Sequence, residues 1–313
     1  MTSSDASRRV AGWRVAVRRA MHGFMQHRGI DAAAALTFYA LLALLPGALA
    51  VVSVFAIFDD RDRAVEDLVA VLDTVLPDRA AHDLEGVLRE LLALDNPYLA
   101  LGIALVLVLW TTSGYATAFG RSVNSSYGVE EGRPFWAFRA RMLAVAVVLD
   151  LLAAVVVTVL LGPGDLPVWA FLRWPVLLAF SILFVAVLYA SAPNVIRPRL
   201  RWVTVGSSVA ILIWIIATAG FALYVALVDH GAIYGSLGGV IVGLLWLYLG
   251  NAALVAGVEL DAEFTRIKQL ANGEDVARSL NLPVRDTRRI RTLGRQRRAD
   301  IAAARELQED ADG

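Results

Sequence analysis

From Ala32 to Phe58 the chain runs for 27 residues without an ionisable side chain. At about 1.5 Å per residue, a helix of that length exceeds the ~20 residues that cross a ~30 Å hydrocarbon layer. Comparable apolar runs occupy Tyr98–Phe119, Met142–Leu161, Trp174–Ala192, Trp202–Val228 and Leu237–Val258. The last two are separated only by Asp229 to Ser236, which reads as a tight hairpin. The pattern predicts an all-α polytopic membrane protein with six transmembrane helices. A hydrophobic share of 58% and a mean hydropathy of +0.61 agree with that class. Residues 1–27 carry scattered arginines and lack a short apolar core followed by small residues, so the first span is expected to remain uncleaved.

The charges orient the spans. Net charge is zero, but 24 of the 29 basic residues fall in segments 1–31, 120–141, 193–201 and 259–313, against 5 in the alternate loops. The positive-inside rule therefore puts both termini in the cytoplasm, as an even number of spans also requires. The expected location is the bacterial cytoplasmic (inner) membrane.

Three parts follow. Residues 1–31 form a cytoplasmic amphipathic segment, residues 32–258 the six-helix domain, and residues 259–313 a charged cytoplasmic tail that ends acidic and partly disordered. Within the first, Val10, Trp13, Val17, Met21 and Phe24 form an apolar stripe beside Arg9, Arg14, Arg18 and Arg19, which reads as a helix lying on an anionic leaflet. Loop 59–97 carries eleven acidic residues and two apolar patterns at helical spacing, separated by Pro77, so it is expected to hold amphipathic helices on the outer mouth, as plain packing or as a partner-docking cap. The tail from Arg285 to Arg298 holds seven arginines suited to lipid headgroups or nucleic acid, or, as is commoner after a membrane domain, to plain solvation.

Few residues carry candidate chemistry. Asp150 is the one ionisable side chain deep within a span, where a carboxylate costs roughly 2.5 to 3.5 kcal/mol and must face the bundle interior or a wet cavity. It either moves protons or a cation, or stays protonated and bonds a neighbour, with Asn251 and Thr111 as candidate partners. Pro46 removes a backbone donor within the first span and frees the Leu42 carbonyl, while Thr37 and Tyr39 lie one to two turns earlier. Gly239-x-x-x-Gly243 suits close helix packing, and Gly235 to Gly239 alternatively exposes N–H groups to an anion. Glu259, Asp261 and Glu263 leave the last span on the side of Arg133, Arg139 and Arg141, with which they are expected to pair.

Soluble-enzyme chemistry finds little footing. There is no cysteine, which excludes disulfides and thiolate catalysis, and the four histidines, His22, His27, His82 and His230, are spread over three regions. No phosphate-binding glycine loop, HExxH or serine elbow is present, so neither an enzyme nor a cofactor is expected.

"AAALTFYALLALLPGAL", "RSVNSSYGVEEGRPFWAFRAR", "LYASAPN", "YGSLGGVIVGLLWLY" and "GVELDAEF", in that order and spacing, resemble the YihY/virulence factor BrkB family of bacterial inner-membrane proteins, once labelled ribonuclease BN. The resemblance covers about residues 25 to 265. It implies six spans with cytoplasmic termini, and recurrent positions at Tyr39, Pro46, Asn124, Tyr127, Arg133, Pro193, Asn194, Tyr234, Gly235, Gly257 and Glu259. The family's usual Ser-Leu-Phe-Pro reads "ALLP" here and its Ala-Glu-Leu-Asn reads "VELD".

Together these features lead to an expected transporter or flippase-like protein for an envelope-related or amphipathic substrate. Its pathway would involve Asp150, Tyr39, Pro46, Asn124, Arg133, Asn194, Tyr234, Gly235 and Glu259. The alternatives are a non-transporting envelope-integrity scaffold and a membrane-tethered ribonuclease. Membrane lipids are the expected partners, with anionic headgroups at the N-terminal helix and the arginine-rich tail. No nucleic acid is expected, and the oligomeric state stays open.

Overall fold

The computed structural model describes residues 3–58, 96–160, 167–196, 204–227 and 238–312. Its elements are helical: α1 (Ser3–Gln26), α2 (Gly29–Phe58), α3 (Pro97–Ser126), α4 (Phe135–Leu160), α5 (Pro167–Ser191), α6 (Val205–Leu227), α7 (Gly238–Ala271) and α8 (Arg288–Asp312). Among the described residues the sole β pairing is a single bridge between Val195 and Val284. Six helices, α2 to α7, are long and apolar enough to cross a membrane. The outer loop 59–97, with its expected amphipathic helices, lies outside the described residues except for Asn96 and Pro97.

Local chemistry sets the helix ends. The Asn96 side chain accepts from the Tyr98 and Leu99 amides at 3.0 and 3.3 Å, and Pro97 occupies the first turn, where its missing donor costs nothing. Thr204 and Ser207 cap α6 reciprocally, each side-chain oxygen accepting the other's backbone N–H at 3.1 and 2.8 Å. Past α3 and α7 the chain turns through Gly128 and Gly273, whose φ values of 64° and 83° are costly for any other residue.

α7 is the central helix, packed against α6, α2, α3 and α1, while α2 lies along α3 and α4 bridges α3 and α5. The core is one cluster drawn from α2 to α5 and α7, including Leu36, Phe119, Val123, Met142, Leu188, Tyr189 and Val255. Phe119 and Tyr189 meet with ring centroids 5.6 Å apart. α6 and α7 approach closely at Gly206 and Gly257. A Cβ on Gly257 would stand 2.6 Å from the Gly206 carbonyl and 2.5 Å from the Tyr189 hydroxyl.

Both chain ends gather at one end of the bundle, here called the terminal end. α1 packs along the last turns of α7, and the segment after α7 folds back onto the α3–α4 loop and the end of α5. There the helices outrun the apolar stretches: α3 continues from Phe119 to Ser126, α4 begins at Phe135, and α7 continues from Val258 to Ala271. The tail expected to be partly disordered is helical from Arg288 to Asp312.

The helix courses add detail to the expected spans. α2 runs unbroken through Pro46, where the carbonyl ladder is relieved at one rung while Gly47 packs on Val108 of α3. α5 begins at Pro167, which leaves Pro175 inside a helix that hydropathy alone starts at Trp174. α1 is held by protein: Ala16 and Ala20 are buried, Gly12 faces Ile267, Arg19 pairs with Glu263, and the Trp13 and Phe264 rings meet edge-on at 4.5 Å. Val17 and Met21 of the apolar stripe stay exposed.

Candidate functional site

The buried polar side chains fall into two levels. The deeper one lies within the apolar lengths of α2, α3, α4 and α7. Asn251 of α7 accepts from the Tyr115 hydroxyl at 2.8 Å and donates to Thr37 at 3.1 Å, and Thr37 in turn donates to the Ala33 carbonyl one turn earlier. This triad ties α2, α3 and α7 in a setting where an unpaired polar group costs several kcal/mol.

Asp150 of α4 takes a different partner from those expected. Thr112 donates to its Oδ1 at 2.8 Å, whereas Thr111 turns back to the carbonyls of Leu107 and Val108 in its own helix. Asp150 Oδ2 is shut off from solvent and has no hydrogen-bond partner. Tyr39 meets neither group: its ring lies over Gly114, where a Cβ would come within 2.7 Å of Cε1. Pro46 sits half-buried at the α2–α3 contact.

The second level is a platform at the terminal end, built by the helical extensions. Glu259, only 2% exposed, accepts at one oxygen from Ser126 at 2.7 Å and meets His27 Nδ1 at 2.9 Å. Asp261 accepts from the Tyr127 hydroxyl at 2.8 Å. Glu263 joins Arg19 at 2.7 Å and Arg266 at 3.2 Å, and Arg266 reaches the Val276 carbonyl. Residues 259 and 263 stand one turn apart and face α1, while 261 faces the end of α3.

The expected pairing of these carboxylates with Arg133, Arg139 and Arg141 is therefore not made. Arg133 is engaged two residues away instead: its Nε and Nη2 grip Glu131 at 2.7 and 2.6 Å, a forked arrangement that a lysine cannot copy. Nη2 also donates to the Ala192 carbonyl at 2.9 Å, and the guanidinium lies 4.7 Å over the Phe138 ring. Arg141 donates to the Ser191 carbonyl at 3.0 Å, and Arg139 stacks over Trp110 at 4.2 Å.

Asn124 and Asn194 extend this network. Asn124 donates to Glu131 at 2.9 Å and accepts the Asn194 amide at 2.8 Å. Asn194 then donates to the carbonyls of Glu130 and Asp286 and accepts the Asp286 amide, while its own carbonyl takes the Arg285 amide. Gly132 belongs here by necessity, since a Cβ would overlap the Asp286 carbonyl. Burial by itself would raise the Glu131 carboxyl, but the two hydrogen bonds from Arg133, its charge and the Asn124 amide hold it below the usual range. Hydrogen bonds from the Arg288 side chain and amide bring Asp286 down to about 2.

Of the residues singled out in the sequence, Asn124, Arg133 and Asn194 thus share one network, and Glu259 lies beside it through Ser126. Asp150 belongs to the deeper level. Tyr234 and Gly235 lie outside the described residues. Sequence reasoning missed Thr112, Ser126, His27, Glu131 and Asp286. Only Glu131 left a usable trace, as an acid two residues before the arginine it holds. Among the described residues no three histidine or carboxylate side chains gather where a metal ion would sit.

Six apolar helices with polar groups buried between them define an integral membrane protein of the all-helical kind. The chain belongs to the family described as Virulence factor BrkB, whose sequence pattern matches residues 20–280. It is 30% identical to the putative ribonuclease-like protein YfkH of Bacillus subtilis, over 78% of this chain and 93% of that one. It is 28% identical to UPF0761 membrane proteins of Laribacter hongkongensis and Aliivibrio salmonicida, over 77% and 72% of this chain and 59% and 74% of theirs. No solved structure matches it.

Proposed function

We propose that the protein is a transporter or flippase-like protein of the bacterial cytoplasmic membrane, with both termini in the cytoplasm, moving an envelope-related or amphipathic substrate. One observation carries this reading: a carboxyl group, Asp150, sits within a membrane-crossing helix with one oxygen buried and unpartnered. A purely structural carboxyl would be expected to satisfy both oxygens, because each unmade bond in the apolar layer is costly. The Thr37–Asn251–Tyr115 triad supports the same reading by making the bundle interior polar at a comparable level. The platform of Glu259, Asp261, Arg133 and Asn194 would close the cytoplasmic end of such a route.

The test is purified protein in sealed vesicles carrying fluorescent phospholipid in one leaflet, with dithionite quenching as the readout. Lipid exchange well above that of protein-free vesicles, lost in Asp150→Asn, is the expected result. Exchange equal to that of empty vesicles, with a separate uptake assay for soluble amphiphiles also flat, would overturn it.

The scaffold reading draws on the eleven acidic residues of loop 59–97, a charge density suited to holding a partner outside the membrane. Replacing that loop separates the two, because a scaffold loses its effect on the envelope with the loop while a carrier keeps its flux. The ribonuclease reading rests on the name of the Bacillus relative, and RNA left intact by the purified protein with added magnesium or manganese would close it.

A further inference from the structure

α8 stands clear of the bundle. From Arg291 to Arg305 every residue but Gly294 is exposed, and the large apolar side chains Leu293, Ile301 and Leu307 are 48%, 45% and 72% exposed. Ile290, Leu293, Arg297, Asp300, Ala304 and Leu307 follow one another at alternating spacings of three and four residues, the interval that keeps a single seam along a helix. This seam is apolar at both ends and carries one cation and one anion at its centre.

Charge divides the helix at the same place. Residues 288–298 hold six arginines and no acid, whereas residues 299–312 hold five acids and one arginine. That order opposes the helix dipole, which favours acids in the first turn and cations in the last. It also disfavours a position flat on an anionic leaflet, from which the acidic half would be repelled. An antiparallel neighbour of the same sequence answers both costs: each basic half lies beside an acidic half, and the two dipoles run opposite ways.

We propose that α8 pairs with α8 of a second copy of this chain as an antiparallel two-helix coil, centred between Arg298 and Ala299. In that register Ile290 lies against Leu307 of the second copy, Leu293 against its Ala304, and Arg297 against its Asp300. The two central ion pairs select this arrangement. A parallel pair in register would set Arg297 on Arg297 and Asp300 on Asp300, and a slip of one heptad would leave all four charges without a counter-charge. Ile301 flanks Gly294 of the second copy, a glycine around which its own chain leaves open space. Two copies in one membrane are related by an axis along its normal, so the paired helices lie parallel to the membrane surface.

The chain has no cysteine, so thiols can be introduced one position at a time. Full-length Leu293→Cys/Ala304→Cys in vesicles of phosphatidylethanolamine and phosphatidylglycerol is oxidised with copper phenanthroline and run on non-reducing gels. Its two thiols stand ~16 Å apart along one helix, beyond the ~7 Å that a disulfide spans between Cα atoms, so a bond forms only between copies. A covalent dimer is expected from this variant and not from Leu293→Cys alone, whose thiols lie ~16 Å apart across an antiparallel pair. In the two-thiol background Arg297→Asp should cut the dimer fraction about tenfold, Asp300→Arg should do the same, and the two together should restore it. A helix that merely lies on the bilayer would show no such rescue. Dimer from Leu293→Cys alone as fast as from the two-thiol variant, monomer throughout, or a combined charge exchange that stays as low as its parts would each overturn the proposal.

Discussion

Gly23 of α1 and Glu259 of α7 meet so closely that a methyl group on Gly23 would stand 2.6 Å from the carboxylate Oε2. The oxygen cannot swing away cheaply, since its partner Oε1 is pinned by Ser126 and His27 and the residue is buried. Glycine here is a docking requirement for the N-terminal helix.

Gly23→Ala should therefore destabilise the protein despite improving helix propensity. Overpacking costs about 1 to 3 kcal/mol and the propensity gain is roughly 1 kcal/mol, which leaves a net loss of about 1 kcal/mol. Gly102→Ala, where nothing lies within 4 Å of the new methyl, should show the gain alone. Unfolding midpoints in a mild detergent compare the two, and equal shifts would contradict the packing seen at Glu259.

At the deeper level Asn251→Leu should strand the Tyr115 hydroxyl and one partner of Thr37. Hydrogen bonds between membrane helices are worth about 0.6 to 2 kcal/mol, so the expected loss is about 1 kcal/mol. A simultaneous Tyr115→Phe and Thr37→Val should restore most of it, because the unmet groups are then gone. Failure of that rescue would mean that Asn251 acts through packing.

The terminal platform should respond to acid. The carboxyl of Asp286 titrates near 2 because Arg288 bonds it, against about 3.9 for a free aspartate. A depressed folded value means that its contribution is present above the unfolded value and fades as pH falls from about 4 toward 2. Carbon-detected NMR of the carboxyl should show a midpoint near 2 that moves up toward 4 in Arg288→Gln; an unmoved midpoint would deny the pair its role.

Much of this molecule can be read from residue order, and the unread part has a common cause. Six apolar runs announce six helices because the bilayer penalises every charge along ~20 residues. The same test goes blind where α7 continues from Glu259 to Arg266, since those turns are polar and are largely buried against protein. Arg133 illustrates the limit on partners. Glu259, Asp261 and Glu263 were the expected partners, and the choice of Glu131 is made by a local turn that also serves Asn124, Asn194 and Asp286, residues up to 162 positions apart. For Asp150 the neighbour Thr112 won over Thr111 through helix rotation alone, a difference of about 100° that a hydropathy reading does not register.

That rotation leads to a last prediction, which separates function from structure at Asp150. Removing a carboxyl from a membrane helix saves about 2.5 to 3.5 kcal/mol on insertion scales, and the bond to Thr112 returns about 1 kcal/mol of that at most. Asp150→Leu should then leave the protein as stable as the wild type or more so, while ending any flux measured in vesicles. Asp150→Asn, which still accepts from Thr112, should likewise keep the fold and lose the flux. This is the opposite signature to Asn251→Leu, where stability falls. If Asp150→Leu instead lowers the unfolding midpoint as Asn251→Leu does, and flux declines only in step with folded protein, the carboxyl is a packing element and the transport reading loses its main support.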